Sequence, residues 1–195
     1  NIPALQAAGA VIQYARDTQG DALLHIHNLK TEQHGCHVII DAASRRNLEL
    51  DINLNGGREH TLLSVLDTCS TSMGSRLLRR WLSSPERDVS ILQARHQSIE
   101  SMLDMVDLDQ LGEILKRIGD VERILPRIAL RSARPRDISY LRQALMQLPA
   151  LQDALTKLDS PLTDKLLSDV GVYPQLTEYL ELAIVDEPPV LLRDG

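Results

Sequence analysis

Apolar residues recur at helical spacing along most of this chain. Over 3–17, Leu5, Ala8, Ile12 and Ala15 share a face, Pro3 suits a first helical position, and Gly20 follows as a stop. An amphipathic helix is expected there. From Asp21 to Gly57 the pattern changes. Leu23-Leu24-His25-Ile26-His27 and His37-Val38-Ile39-Ile40 read as short strands, 42–54 is ambiguous, and Asn55-Gly56-Gly57 reads as a turn.

Helical spacing then returns. Thr61 is placed to cap a short helix with Leu62, Leu63, Val65 and Leu66. Ser72 is placed to cap the next, where Met73, Leu77 and Trp81 align at i, i+4 and i+8 before Pro85, so Trp81 is expected to be buried. Asp88 opens a longer helix with Leu92, Ile99, Leu103 and Val106, and Asp107 another with Leu108, Leu111, Leu115 and Ile118. The stretch from Asp120 to Arg131 contains Pro126, which is expected to kink or split it. Pro135, Pro149, Pro161 and Pro174 each stand where a helix is expected to begin. These prolines recur at intervals of 14, 12 and 13 residues, but the sequence around them does not repeat, which argues against a solenoid. The pattern implies a mainly α fold, a helical array with a small β-containing N-terminal segment.

Composition supports that reading. The 195 residues include 34 leucines, no phenylalanine and five aromatic residues in all, a bias towards helices and away from strands. This length suits one domain, or a domain with a small appendage. No apolar run approaches the ~20 residues that span a bilayer. The chain opens on Asn1 without Met or a secretory signal and reads as a piece of something longer. Two cysteines, Cys36 and Cys69, are too few for a disulfide scaffold or a four-cysteine zinc site, and a reducing, cytoplasmic setting is expected. The net charge of −6 is uneven: −3 over residues 1–69, +3 over 70–148 and −6 over 149–195. A domain that wraps DNA by itself is usually basic. This one is not.

Familiar catalytic motifs are missing. No glycine is followed by lysine, which excludes a G-x-x-x-x-G-K phosphate loop, and neither G-x-G-x-x-G, H-E-x-x-H nor G-x-S-x-G occurs. His25, His27, His34, Cys36 and His37 offer zinc-type ligands within 13 residues. Polar strand faces and their connecting loop account for them as well, and no bound metal is expected.

Arg123, Arg127 and Arg131 recur every four residues, with Lys116 and Arg117 before them and Arg134 and Arg136 after. Such a stripe can bind phosphates. Interleaved Asp120, Glu122 and Asp137 make pairing between helices the first reading, nucleic-acid contact the second and a protein partner the third. Arg95 falls between Leu92 and Ile99 on an apolar face, where it needs a carboxylate; Asp67, Asp120 and Glu122 are the candidates.

Word order along the middle of the chain goes further. Asp41-Ala42-Ala43-Ser44-Arg45-Arg46-Asn47-Leu48-Glu49-Leu50 is followed by Thr61-Leu62-Leu63-Ser64-Val65-Leu66-Asp67 and by Thr71-Ser72-Met73-Gly74-Ser75-Arg76-Leu77-Leu78-Arg79-Arg80-Trp81-Leu82 with Pro85. Then come Gly119-Asp120-Val121-Glu122-Arg123 and Arg134-Pro135-Arg136-Asp137-Ile138. In this order and spacing the words resemble the core, or lever, domain of the bacterial MutS family of DNA mismatch-recognition ATPases. The chain departs from the family at Thr71-Ser72, where relatives usually have Thr-Pro or a similar pair, and at Pro126.

The resemblance implies that residues 1–20 are the last helix of a connector domain. It implies that 21–195 are the first part of the core domain, ending near Pro188-Pro189 where the family inserts its DNA clamp. The implied role is structural: a lever that carries nucleotide state to the DNA grip of the parent. No catalytic, cofactor-binding or metal residue is implied within this stretch. The parent is implied to use ATP and Mg, to bind mismatched duplex DNA and a MutL-type partner, to be a homodimer, and to have no membrane contact. Candidate structural or coupling residues are Asp67, Trp81, Arg95, Asp120, Glu122 and Arg123, with the 119–123 junction as the expected joint. Alternatives are a free-standing helical interaction module using the acidic 149–195 segment, a MutS paralogue acting on recombination, and a direct nucleic-acid binder.

Overall fold

The computed structural model describes residues 2–19, 26, 28, 35–105 and 107–189. Ten helices are found among them, in chain order α1 (Ile2–Gln19), α2 (Ala42–Asn47), α3 (Leu62–Leu66), α4 (Ser72–Ser83), α5 (Val89–Met105), α6 (Leu108–Arg117), α7 (Val121–Ala129), α8 (Pro135–Leu155), α9 (Pro161–Asp169) and α10 (Pro174–Ala183). The fold is a mainly α helical array. The 21-residue α8 is its centre, packing against α6, α7, α9 and α10, while α5 lies on α9 and α3 on α4.

Short polar side chains set most helix starts. Asp41 accepts from the Ser44 amide at the head of α2, Thr61 from Ser64 at α3, Asp107 from Asp109 and Gln110 at α6, and Ser160 from Thr163 at α9. Thr61 is 1% exposed, and its hydroxyl also donates to the Arg58 carbonyl at 3.0 Å. Thr61→Ala therefore lowers the unfolding free energy by about 1–2 kcal/mol, read from the urea midpoint, because it removes both bonds at a buried cap. At α4 the cap is Thr71, whose Oγ1 accepts from Gly74 at 2.9 Å, and not Ser72 as expected. Ser72 is left free to reach another element.

Pro135, Pro161 and Pro174 behave as expected, Pro149 does not, and Pro126 does not split its helix. Pro135, Pro161 and Pro174 occupy the first turn of α8, α9 and α10. Pro149 does not start a helix; α8 runs through it. Its missing N–H removes one bond to the Leu145 carbonyl, but packing of α8 on α9 and α10 holds the helix together across the gap. Pro126 likewise lies inside an unbroken α7, with its ring on the exposed side.

Among the described residues, the expected β-containing entrance shows one isolated bridge. His37 pairs antiparallel with Glu86, flanked by Val38 N–H to Pro85 O at 2.8 Å and Arg87 N–H to Cys36 O at 3.1 Å. Among the described residues, 38–40 form no strand beyond this bridge with the 85–87 stretch. The strand expected over 23–27 lies outside the described residues apart from Ile26, as do His25, His27 and His34 of the metal candidate and Val106 of the α5 stripe. The Asn55-Gly56-Gly57 turn forms, with Gly56 at φ 84° and Asn53 Oδ1 accepting from Asn55 at 3.0 Å and Gly57 at 2.8 Å.

Buried apolar side chains are Leu50, Ile124, Ala144, Leu155, Leu158 and Leu180. Beside them a buried hydroxyl chain joins α5 to the head of α9, with Ser98 Oγ 2.8 Å from Ser160 Oγ and Ser160 Oγ 2.8 Å from Thr163 Oγ1. No described helix is long and apolar enough to cross a membrane.

Candidate functional site

Three of the expected residues, Asp120, Glu122 and Arg123, lie where α4 meets the α6–α7 junction. Ser72, freed from capping, donates to Asp120 Oδ2 at 3.0 Å. One helical turn on, Arg76 grips both acidic residues of the junction. Its Nη1 donates to Asp120 Oδ2 at 2.9 Å and its Nη2 to Asp120 Oδ1 at 2.6 Å. Its Nε and Nη2 donate to Glu122 Oε2 at 3.0 and 2.6 Å. Two carboxylates on one planar guanidinium fix orientation as well as distance.

This grip explains a gap at α7. Asp120 stands at the N-cap position, yet its carboxylate makes no capping bond, because Arg76 and Ser72 already hold it. Hydrogen bonds from Arg76 first, and from Ser72, hold the Asp120 carboxyl down at about 2, against a burial effect in the opposite direction. The same partners push the Arg76 guanidinium further up. Because the Asp120 value is depressed on folding, the joint's contribution is complete above the ordinary aspartate value near 3.8 and is lost as pH falls through about 2. An acid titration of stability therefore retains a step between about pH 4 and 2, and Asp120→Asn reduces that step while leaving the neutral-pH helix content intact.

Arg123 plays a smaller part than its place in the junction suggested. Its side chain is 67% exposed, and its Nε lies 3.6 Å from Asp120 Oδ2, an oxygen already bonded to Arg76. Asp67 takes the Ser75 hydroxyl at 2.9 Å and the Cys69 amide at 3.2 Å. The Ser75 bond leads in holding its carboxyl below the ordinary range, while burial, then Asp67, pushes the Cys69 thiol up. Arg79 pairs with Asp51 at 2.7 Å, tying α4 to the turn after α2.

Two expectations are corrected together. Arg95 has none of Asp67, Asp120 or Glu122 as partner; its guanidinium lies over the Trp81 ring, 3.9 Å from the centroid. Trp81 itself is 41% exposed, and Leu77 on the same stripe is 42% exposed, so the described residues cover that stripe only in part. Arg95 stacks on one ring face through a cation–π contact and so does not require a buried ion pair.

The arginine stripe resolves only in part into pairing, with one ion pair between helices among the described residues. Arg127 meets Asp137 at 2.8 Å, Lys116 meets Glu113 at 2.7 Å, and Arg136 Nε donates to the Pro188 carbonyl at 3.3 Å. Among the described residues no group of three His, Cys, Asp or Glu is placed to hold a metal.

Sequence reading missed Arg76 and Ser72 as partners of the junction. Their four-residue spacing puts them on one polar edge of α4, but the acids they bind lie more than 40 residues away, beyond any local rule. The family described as MutS domain III matches residues 43–195. That span begins inside α2 and takes in α3 to α10, so the helices that build the joint are the ones the family shares. The chain belongs to the MutS domain III family, the non-catalytic core domain of DNA mismatch-repair proteins.

Proposed function

We propose that this domain is a mechanical lever in a mismatch-recognition ATPase, and that the Arg76–Asp120–Glu122 joint is where one group of helices is held against another. The observation that carries this reading is the single guanidinium shared by two carboxylates across 44 and 46 residues of sequence. Coupling between distant sites needs an element with alternative arrangements that both sites bias. Stiff helices meeting at a directional ionic joint supply one.

In this reading residues 1–20 end the connector domain and 21–195 begin the core. The exposed apolar side chains of α1, with Ile2 at 72%, Leu5 at 71%, Val11 at 68% and Tyr14 at 71%, support a helix whose neighbours belong to another part of the parent. ATP and Mg act at a different domain of a cytoplasmic, homodimeric parent that binds mismatched duplex and a MutL-type partner.

The test is reciprocal. In the parent, Arg76→Ala leaves nucleotide affinity and mismatch affinity near normal when each is measured alone. What falls is the effect of ATP on DNA dissociation and of mismatched duplex on ATP binding, by a common factor for the equilibrium terms. Arg123→Ala does the same to a lesser degree, since its charge is mostly solvated. Collapse of mismatch affinity alone would assign the residue to DNA contact instead.

A further inference from the structure

The first two turns of α8 gather three other parts of the molecule. Asp137 Oδ1 accepts from Arg127 at the end of α7 at 2.8 Å, and its Oδ2 accepts from the Arg134 amide at 2.9 Å. Tyr140 lies under the α6–α7 junction so closely that a Cβ on Gly119 would stand 3.5 Å from the Tyr140 Cβ. The third part is the segment 184–188, which follows α10 and has no secondary structure beyond its first residue's bond to Leu180.

Side chains of α8 hold that segment. Arg142 Nη1 donates to the Ile184 carbonyl and its Nη2 to Asp186 Oδ1, both at 2.8 Å. Ser139 Oγ donates to the Asp186 carbonyl, and Arg136 Nε to the Pro188 carbonyl, each at 3.3 Å. Residues 136, 139 and 142 follow one another at three-residue spacing, so they form one row along the helix.

The pairing is lopsided. Arg142 is buried, with its side chain 7% exposed, whereas the Asp186 side chain is 96% exposed. A buried guanidinium needs partners for its donors, and those of Arg142 come from the segment, through the Ile184 carbonyl and the Asp186 carboxylate. Pro188-Pro189 then passes direction onward, because consecutive prolines lock φ and stiffen the backbone.

We propose that Arg142 is a positioning residue: it latches the 184–188 segment onto the same turn of α8 that supports the 119–120 junction, so that the direction of Pro188-Pro189 responds to the Arg76–Asp120 joint. The link to that joint deepens the lever reading. The latch itself does not depend on it, and both are testable without nucleotide or DNA.

The experiment is 15N relaxation on the full chain. In the unaltered protein the amides of Val185, Asp186 and Glu187 have order parameters near the rigid-backbone value of about 0.85. Arg142→Met drops them below about 0.6 while α5 and α9 keep theirs. Asp186→Asn, at a carboxylate 96% exposed, lowers them in the same direction by a smaller amount and keeps the proposal testable where Arg142→Met does not fold. Arg142→Lys restores part of the order. Asp120→Asn shifts the 185–187 resonances along the line drawn by Arg142→Met and adds nothing further in the Arg142→Met background. Unchanged order in a folded Arg142→Met, or in Asp186→Asn where Arg142→Met does not fold, overturns the latch. Resonances at 185–187 that ignore Asp120→Asn overturn its link to the joint, whatever the parent's nucleotide and DNA response turns out to be.

Discussion

Ile124→Ala lowers the unfolding free energy by about 2–5 kcal/mol, the range for cutting a buried isoleucine to alanine, and shifts the urea midpoint with little change in slope. The side chain is 4% exposed and is the single buried residue of α7. The nine-residue α7 carries an internal proline, so its own helical propensity is poor, and Ile124 is its buried apolar anchor beside the Arg127–Asp137 pair to α8. Ile124→Val removes one methyl group and costs about 0.5–1.5 kcal/mol. Near-equal midpoints for the alanine and valine variants would show that the anchor lies elsewhere.

Asp137→Ala costs about 2–3 kcal/mol, because it removes two interactions at once. The carboxylate is 8% exposed, receives the Arg134 amide at the start of α8, and pairs with Arg127 from α7. Loss of the first is a lost cap; loss of the second leaves a guanidinium that is half exposed and resolvates readily. Asp137→Asn keeps an oxygen for the Arg134 amide and gives up the charge, so it costs about 1 kcal/mol. An asparagine variant as unstable as the alanine variant would place the weight on the ion pair instead of the cap.

Local chemistry was readable from the chain, and long-range chemistry was not. Thr61, Asp107 and the prolines at 135, 161 and 174 announce helix starts through properties of one residue and its immediate followers. Thr71 and Ser72 compete for one cap, and the distant Asp120 carboxylate is what engages the Ser72 hydroxyl. Pro149 and Pro126 break the rule because packing of α8 and α7 outweighs one lost backbone bond each. Trp81 was misjudged for the opposite reason: a clean apolar stripe implies a covering surface, and here the described residues leave Trp81 41% exposed, with Arg95 stacked on its ring.

The candidate site divides the same way. The 119–123 junction was legible as an acidic helix start after a glycine, with Asp120 and Glu122 in view. Its cation was not. Arg123 is nearest in sequence but largely solvated, while Arg76 reaches across from α4 with all its nitrogens engaged. Spacing rules find partners within one helix, and this joint exists because it spans two.

Whether the Arg76 joint transmits force or only adds stability is decided by one comparison in the parent protein. The coupling between nucleotide and DNA is measured as the ratio of mismatched-duplex dissociation constants with and without ATP, in Arg76→Ala and in Ile124→Val as a control of modest destabilisation. The lever account predicts that Ile124→Val keeps the coupling of the unaltered parent and that Arg76→Ala loses most of it, about tenfold if the joint carries roughly 1.4 kcal/mol of a typical coupling free energy. Equal coupling in both variants, with Arg76→Ala well folded, contradicts the account.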